Sequence, residues 1–179
     1  SQPAGTLQGS LGSGNGSAPS PLAQIDSTNL LQSYKWAHVA LTLQGRQLTL
    51  YINGIKDSSA LLSTNGTRQT GVSPLCIGGR VNNSGNPFHG FIDNIRIWTN
   101  ALSASQVQTA MGGNNGGYSV NVLAGNGLAA YFPINEDDTL SVLRDLTGRH
   151  DATVTNCLLP DVGAVGMSES VMYSESHGY

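Results

Sequence analysis

The chain has 179 residues, enough for one domain with its own core or for a domain and part of a second. Only 11% of its residues are charged, the formal net charge is -3, and 23 residues are glycine. This balance argues against a basic surface for nucleic acid or anionic membrane, and no apolar run reaches the length of a membrane-spanning helix.

Abundant Gly, Ser, Thr and Asn with few charges predict a turn-rich all-β protein of extracellular type. No leader-like segment opens the sequence. Ser1 is read as following a processing site or as a cut from a longer polypeptide. Residues 1–30 are rich in Gly, Ser, Pro and Gln. Thr6–Leu11 reads as a short strand and Gly12–Pro21 as a loop.

From Trp36 the pattern sharpens. Ala37, Val39, Leu41 and Leu43 alternate with His38 and Thr42, which predicts a strand with one apolar face. Gln44-Gly45-Arg46 is a tight connection. Leu48, Leu50 and Ile52 then form a second apolar face, with Thr49 and Tyr51 opposite, completing a hairpin. Asn53-Gly54 follows as a turn, because both residues tolerate positive φ. Ile55 should start a short return strand, and Asp57–Gly71 reads as a polar loop. Leu75–Ile77 is expected to be a short buried strand stopped by Gly78-Gly79.

Phe91–Trp98 reads as one strand. Phe91, Asp93, Ile95 and Ile97 would share one face, and Ile92, Asn94, Arg96 and Trp98 the other. A short helix near 103–111 follows. Ser103 is its N-cap, Gln106 completes a capping box, and Leu102 and Val107 form a hydrophobic staple. Gly112-Gly113 stops it, and residues 113–117 form a Gly-rich linker. Beyond Tyr118, alternation over Leu128–Ile134 predicts a further strand. Glu136-Asp137-Asp138 is an acidic cluster read as a solvated turn. Asp145-Leu146-Thr147-Gly148 is a turn, Ala152–Thr155 a short strand, and Asp161–Tyr179 a tail without clear period.

Several of these blocks occur in a telling order. Trp36 is followed closely by His38-Val39-Ala40, then by Tyr51-Ile52-Asn53-Gly54, Ile77-Gly78, Phe88-His89-Gly90-Phe91-Ile92-Asp93 and the Leu102-Ser103 helix. This order closely resembles the second half of a laminin-G-like domain of the concanavalin A-like lectin superfamily. The resemblance implies an antiparallel β-sandwich of jelly-roll type. It also implies a secreted or cell-surface protein that binds glycans or cell-surface proteins, since only some branches are enzymes.

The downstream segment departs from that pattern. Gly127–Glu136, Asp145–Gly148 and Asp151–Val154 look like the opening of such a domain, yet they follow the hairpin series. Two readings stand. In one, 1–112 closes one unit and 118–179 opens a second. In the other, 118–158 supplies permuted strands to the same sandwich.

Asp93 is the residue singled out for a site. A carboxylate among apolar neighbours is costly unless paired or coordinated. It is read either as an acceptor for backbone N–H groups at the sheet end or, as the resemblance implies, as a ligand of a structural Ca²⁺ with backbone carbonyls. No catalytic residue is expected. The Glu-x-Asp-x-x-Glu pattern of the superfamily's enzymatic branches does not occur, and Glu136, Asp137 and Asp138 are contiguous, so they do not share one strand face. His38 is read as a hydrogen-bonded structural residue. His89, His150 and His177 have no ligand spacing between them. Trp36 and Trp98 could stack on sugars where exposed and otherwise belong to the sandwich. The polar loops 57–71 and 80–87 suit hydrogen bonding to polyols and are equally ordinary connections. Cys76 is read as a buried free thiol, with a disulfide to Cys157 as the alternative. Asn15, Asn65 and Asn82 head Asn-x-Ser/Thr triplets that mark surface loops.

The expectation is therefore a non-catalytic glycan-binding or adhesion module. Its alternative is an assembly subunit whose strands complete a neighbouring domain or another copy of the chain.

Overall fold

The computed structural model describes residues 5–11, 23–63, 75–79, 88–112, 127–134 and 142–154, and the backbone of 171–173. The strands are β1 (Gln8–Leu11), β2 (Ala23–Asp26), β3 (Trp36–Ala37), β4 (Val39–Gln44), β5 (Gln47–Ile52) and β6 (Ile55–Leu61). They continue as β7 (Gly90–Phe91), β8 (Ile95–Trp98), β9 (Leu128–Phe132), β10 (Val142–Leu143), β11 (Ala152–Thr153) and β12 (Val171–Tyr173). One helix, α1, spans Ala104–Gly112. Contacts group residues 1–91 with 172–179 as one compact unit and 92–171 as another.

In the first unit β4, β5 and β6 form an antiparallel sheet in that order. The predicted hairpin is present, with Leu41 opposite Leu50 and Leu43 opposite Leu48. The turn that joins β5 to β6 has the expected chemistry. Asn53 and Gly54 have φ of 51° and 74°, the pair of left-handed conformations that a two-residue hairpin turn needs. His38 and Asn53 also bond across the hairpin end. The His38 N–H donates to Asn53 Oδ1 at 2.9 Å, and the Asn53 N–H donates to the His38 carbonyl at 2.8 Å.

Burial departs from simple alternation on β5, where Leu48, Thr49, Leu50 and Tyr51 are all buried. The sheet's middle strand is thus covered on both faces. On β4 the expected inward row is incomplete, because Leu41 is 47% exposed. Leu48 and Leu50 join Ala23, Ile25 and Leu62 in the core of this unit. Ala23 and Ile25 come from β2, which has no counterpart among the predicted strands. It pairs antiparallel with β1, the strand expected within Thr6–Leu11.

The return strand is longer than predicted. β6 continues to Leu61, so the polar loop does not begin at Asp57. The strand tolerates Asp57 because that residue is bulged. Leu50 pairs with Ser58 and Tyr51 with Lys56, and Asp57 faces neither. Its carboxylate instead receives the N–H groups of Thr28 at 2.7 Å and Asn29 at 3.0 Å.

Leu75–Ile77 is not the expected buried strand. Leu75, Cys76 and Ile77 are all exposed, and no strand pairs with them among the described residues. Cys76 is a free, exposed thiol rather than a buried one. Cys157 lies outside the described residues.

In the second unit β8 pairs antiparallel with β9, with Ile95 opposite Phe132 and Arg96 opposite Tyr131. Ala129 is bulged between the pairs Ile97–Ala130 and Trp98–Leu128. Gly127, just before β9, must be glycine. Its φ is 79°, and a Cβ there would lie 2.6 Å from Thr99 Oγ1. That close approach lets the Thr99 N–H reach the Gly127 carbonyl at 2.9 Å. β10 pairs with β11 in a second short ladder.

The helix forms as its caps dictate. The Gln106 N–H donates to Ser103 Oγ at 3.3 Å, and the Ser103 N–H donates to Gln106 Oε1 at 2.8 Å, the reciprocal bonds of a capping box. Leu102 and Val107, the staple pair, are both buried, Val107 completely. No described helix is long and apolar enough to cross a membrane.

Candidate functional site

Two places gather side chains with chemistry beyond packing. The first lies in the unit formed by residues 1–91 and 172–179. Its sheet has the order β3-β12-β7, so Trp36 and Phe91 sit on the two outer strands. Their rings meet with centroids 6.5 Å apart and planes inclined at 45°. That is a tilted aromatic contact near the outer limit of the usual range. Trp36 is half-buried, whereas Phe91 leaves 56% of its surface in solvent. Both strands are two residues long, and β7 ends at Phe91 itself. Tyr34, two residues before Trp36, is exposed and has a positive φ of 60°, a costly conformation for a bulky residue.

The second place lies in 92–171. Asn94 has a φ of 53°, which breaks the expected continuous strand Phe91–Trp98 before β8 begins. Asp93 therefore does not share the β8 face with Ile95 and Ile97. It stands at the bend, half-buried, and its Oδ1 accepts the Asn94 N–H at 2.8 Å. Burial raises its pKa above the ordinary carboxylate value, outweighing the Asn94 hydrogen bonds and the Arg96 charge that pull it down. Asp93 thus accepts one backbone N–H, that of the residue after it.

A calcium ion needs about six to eight oxygens. Asp93 would supply one under-compensated carboxylate, and backbone carbonyls would have to supply most of the rest. Among the described residues no group of three or more acidic, His or Cys side chains could hold a metal.

Beside Asp93 runs a polar network. Arg96 caps the end of α1, donating from Nη1 to the Ala110 carbonyl at 3.0 Å. Its guanidinium carbon lies 4.7 Å from the centre of the Tyr131 ring, a cation–π contact. The Tyr131 hydroxyl donates to Asn94 Oδ1 at 2.8 Å, which holds the bend at Asn94.

Asp145 anchors the other side of β9. Its Oδ1 accepts the N–H groups of Tyr131 at 2.8 Å and Thr147 at 2.9 Å. Its Oδ2 accepts the Thr147 hydroxyl at 2.5 Å and the His150 N–H at 3.0 Å. Burial pushes this carboxyl up, but the donors win and hold its pKa at about 2. Neither Asp57 nor Asp145 carries a site motif in the sequence. The Asx-turn habit of an Asp in Asp145-Leu146-Thr147-Gly148 was the available signal.

The remaining candidates scatter. Trp98 is half-buried on β8, while His89 and His150 are exposed. Glu136, Asp137, Asp138, Asn15, Asn65, Asn82, His177, the 80–87 loop and the 113–117 linker lie outside the described residues.

Comparison with known proteins gives the family. A laminin-G family model, described as the concanavalin A-like lectin/glucanases superfamily, matches residues 2–108. No curated protein matches the chain. A solved structure of a presumptive carbohydrate-binding protein from Bacteroides ovatus is 27% identical, with a TM-score of 0.54, over 73% of this chain. An S-layer domain-containing protein from Clostridium thermocellum is 35% identical over 49% of the chain, with a TM-score of 0.40. The chain spans 37% and 44% of the lengths of these two solved chains. Mostly antiparallel sheets with one short helix are the ingredients of the β-sandwich that the matched family implies. The chain belongs to the concanavalin A-like lectin/glucanases superfamily.

Proposed function

We propose that the chain is a non-catalytic glycan-binding or adhesion module of a secreted or cell-surface protein. The observation that carries this reading is the family match over residues 2–108 joined to the commitments of the described carboxylates. Among the described carboxylates, Asp57, Asp93, Asp145 and Asp151 each accept a backbone N–H, and Asp26 accepts the Gln8 side-chain amide. A glycoside-cleaving pair needs two carboxyls flanking the scissile bond, one of them free to move a proton. The likeness to the Bacteroides ovatus protein, described as carbohydrate-binding, supports the same reading. So does the composition, with its sparse charge and abundant Gly, as in extracellular β domains.

Asp93 is our proposed metal residue, with Ca²⁺ as the structural ion. A half-buried carboxylate whose burial outweighs its hydrogen bonds supports it. Within the unit 92–171, β9 pairs with β8, a strand of the upstream series, and this pairing of downstream with upstream residues supports the permuted reading. An assembly role, with strands completing another copy, draws support from β12. This late strand takes the middle place between β3 and β7.

Turnover decides between module and enzyme. The purified chain should release neither reducing ends nor unsaturated sugar from a polysaccharide panel on prolonged incubation. Release of either would overturn the non-catalytic reading.

A further inference from the structure

Resting on the glycan reading above, we propose that Trp36 and Phe91 form the stacking surface of the glycan site. We further propose that its ligand is a neutral chain of pyranoses whose successive ring planes are inclined to each other rather than coplanar. A pyranose with mostly equatorial hydroxyls presents a face of C–H bonds, which packs on an aromatic ring while its hydroxyls stay in water. An exposed aromatic face suits that contact, and Phe91 leaves 56% of its surface in solvent.

The half-buried Trp36 stands beside it. The pair bridges the two outer strands of the β3-β12-β7 sheet, so backbone rather than one flexible loop sets its spacing. Gly90, next to Phe91, adds no side chain to crowd the approach.

The inclination selects the ligand. Two rings at 45° do not make one plane, so a flat ribbon cannot lie face-on against both. A chain that turns between residues can present one sugar face to each ring. Charge selects against uronates. The segments Tyr34–Ala37 and Phe88–Phe91 carry one fixed charge, Lys35, which is too little to favour a polyanion.

The test titrates the full chain with laminarihexaose, as the turning chain, and cellohexaose, as the flat one. Phe91→Ala and Phe91→Trp are run alongside. Phe91 is exposed enough for both variants to fold, and circular dichroism checks that they do. The wild type should bind laminarihexaose more tightly than cellohexaose. Phe91→Ala should weaken binding about tenfold, the loss of one aromatic contact, and Phe91→Trp should retain it. Wild-type binding that Phe91→Ala leaves unchanged would overturn the stacking surface while leaving the glycan reading intact. Tighter binding of cellohexaose would overturn the turned-chain ligand. No binding to either sugar or to a wider glycan panel would bring down the glycan reading and this proposal with it.

Discussion

The carboxylate of Asp145 lies 2.8 Å from the backbone nitrogen of Tyr131 and ties a turn to the middle of a strand fourteen residues earlier. The contact lends itself to a pH test. The folded-state pKa of Asp145 is lowered from 3.8 to about 2, so its contribution is fully present above the unfolded value. It is lost as pH falls from about 4 towards 2. Asp145→Asn should remove on the order of 2 kcal/mol at neutral pH and flatten the acid limb of the stability curve. Denaturant titrations at pH 7 and pH 3 measure both. An unchanged acid limb in the variant would contradict the assignment.

Asp93 should behave in the opposite sense. Its pKa is raised, so its ionised form is disfavoured in the folded state. The favourable contribution of the protonated group is present below the unfolded pKa and fades as pH rises through the folded one. In chelator at neutral pH, Asp93→Asn should melt no lower than the wild type. Calcium should then raise the wild-type melting temperature and leave that of the variant unmoved. A wild-type melting curve indifferent to both calcium and chelator would leave Asp93 only its hydrogen-bonding role.

Leu50 is 2% exposed in the core of the first unit. Leu50→Ala should cost about 2–5 kcal/mol, the transfer term plus the cavity left behind. Leu41→Ala, on the facing strand but 47% exposed, should cost clearly less. Equal losses would contradict the assigned burial.

Ser103→Ala should cost about 1 kcal/mol by removing one side of the capping box. Ser103→Asn should recover most of it. A loss in both variants alike would place the role of Ser103 outside the cap.

The central strands were legible because local rules and tertiary packing agree there. Alternation gave Leu48 and Leu50, the Asn53-Gly54 pair gave the turn, and Ser103 with Gln106 gave the helix start. β2 was hidden because Ala23–Asp26 is short, follows a Gly/Ser/Pro-rich stretch, and owes its burial to partners far along the chain. Bulges hid more. A bulge at Asp57 let β6 run on through a polar residue. A positive φ at Asn94 cut a periodic run in two and moved Asp93 off the face that alternation assigned it. The failure at Leu75–Ile77 is the converse. Three apolar-looking residues read as a buried strand, but a strand needs a ladder partner, and none pairs with it among the described residues. Of the candidate site, Trp36 was legible as an aromatic that could stack on sugar. Phe91 was not, because alternation grouped it with Ile95 and Ile97 on one face of a strand that Asn94 interrupts.

Retention of the full chain on an array of neutral and acidic glycans tests the central claim most directly. The account predicts saturable binding to one or more neutral glycans, competed by the same sugar free in solution. Binding to no glycan on the array would contradict it.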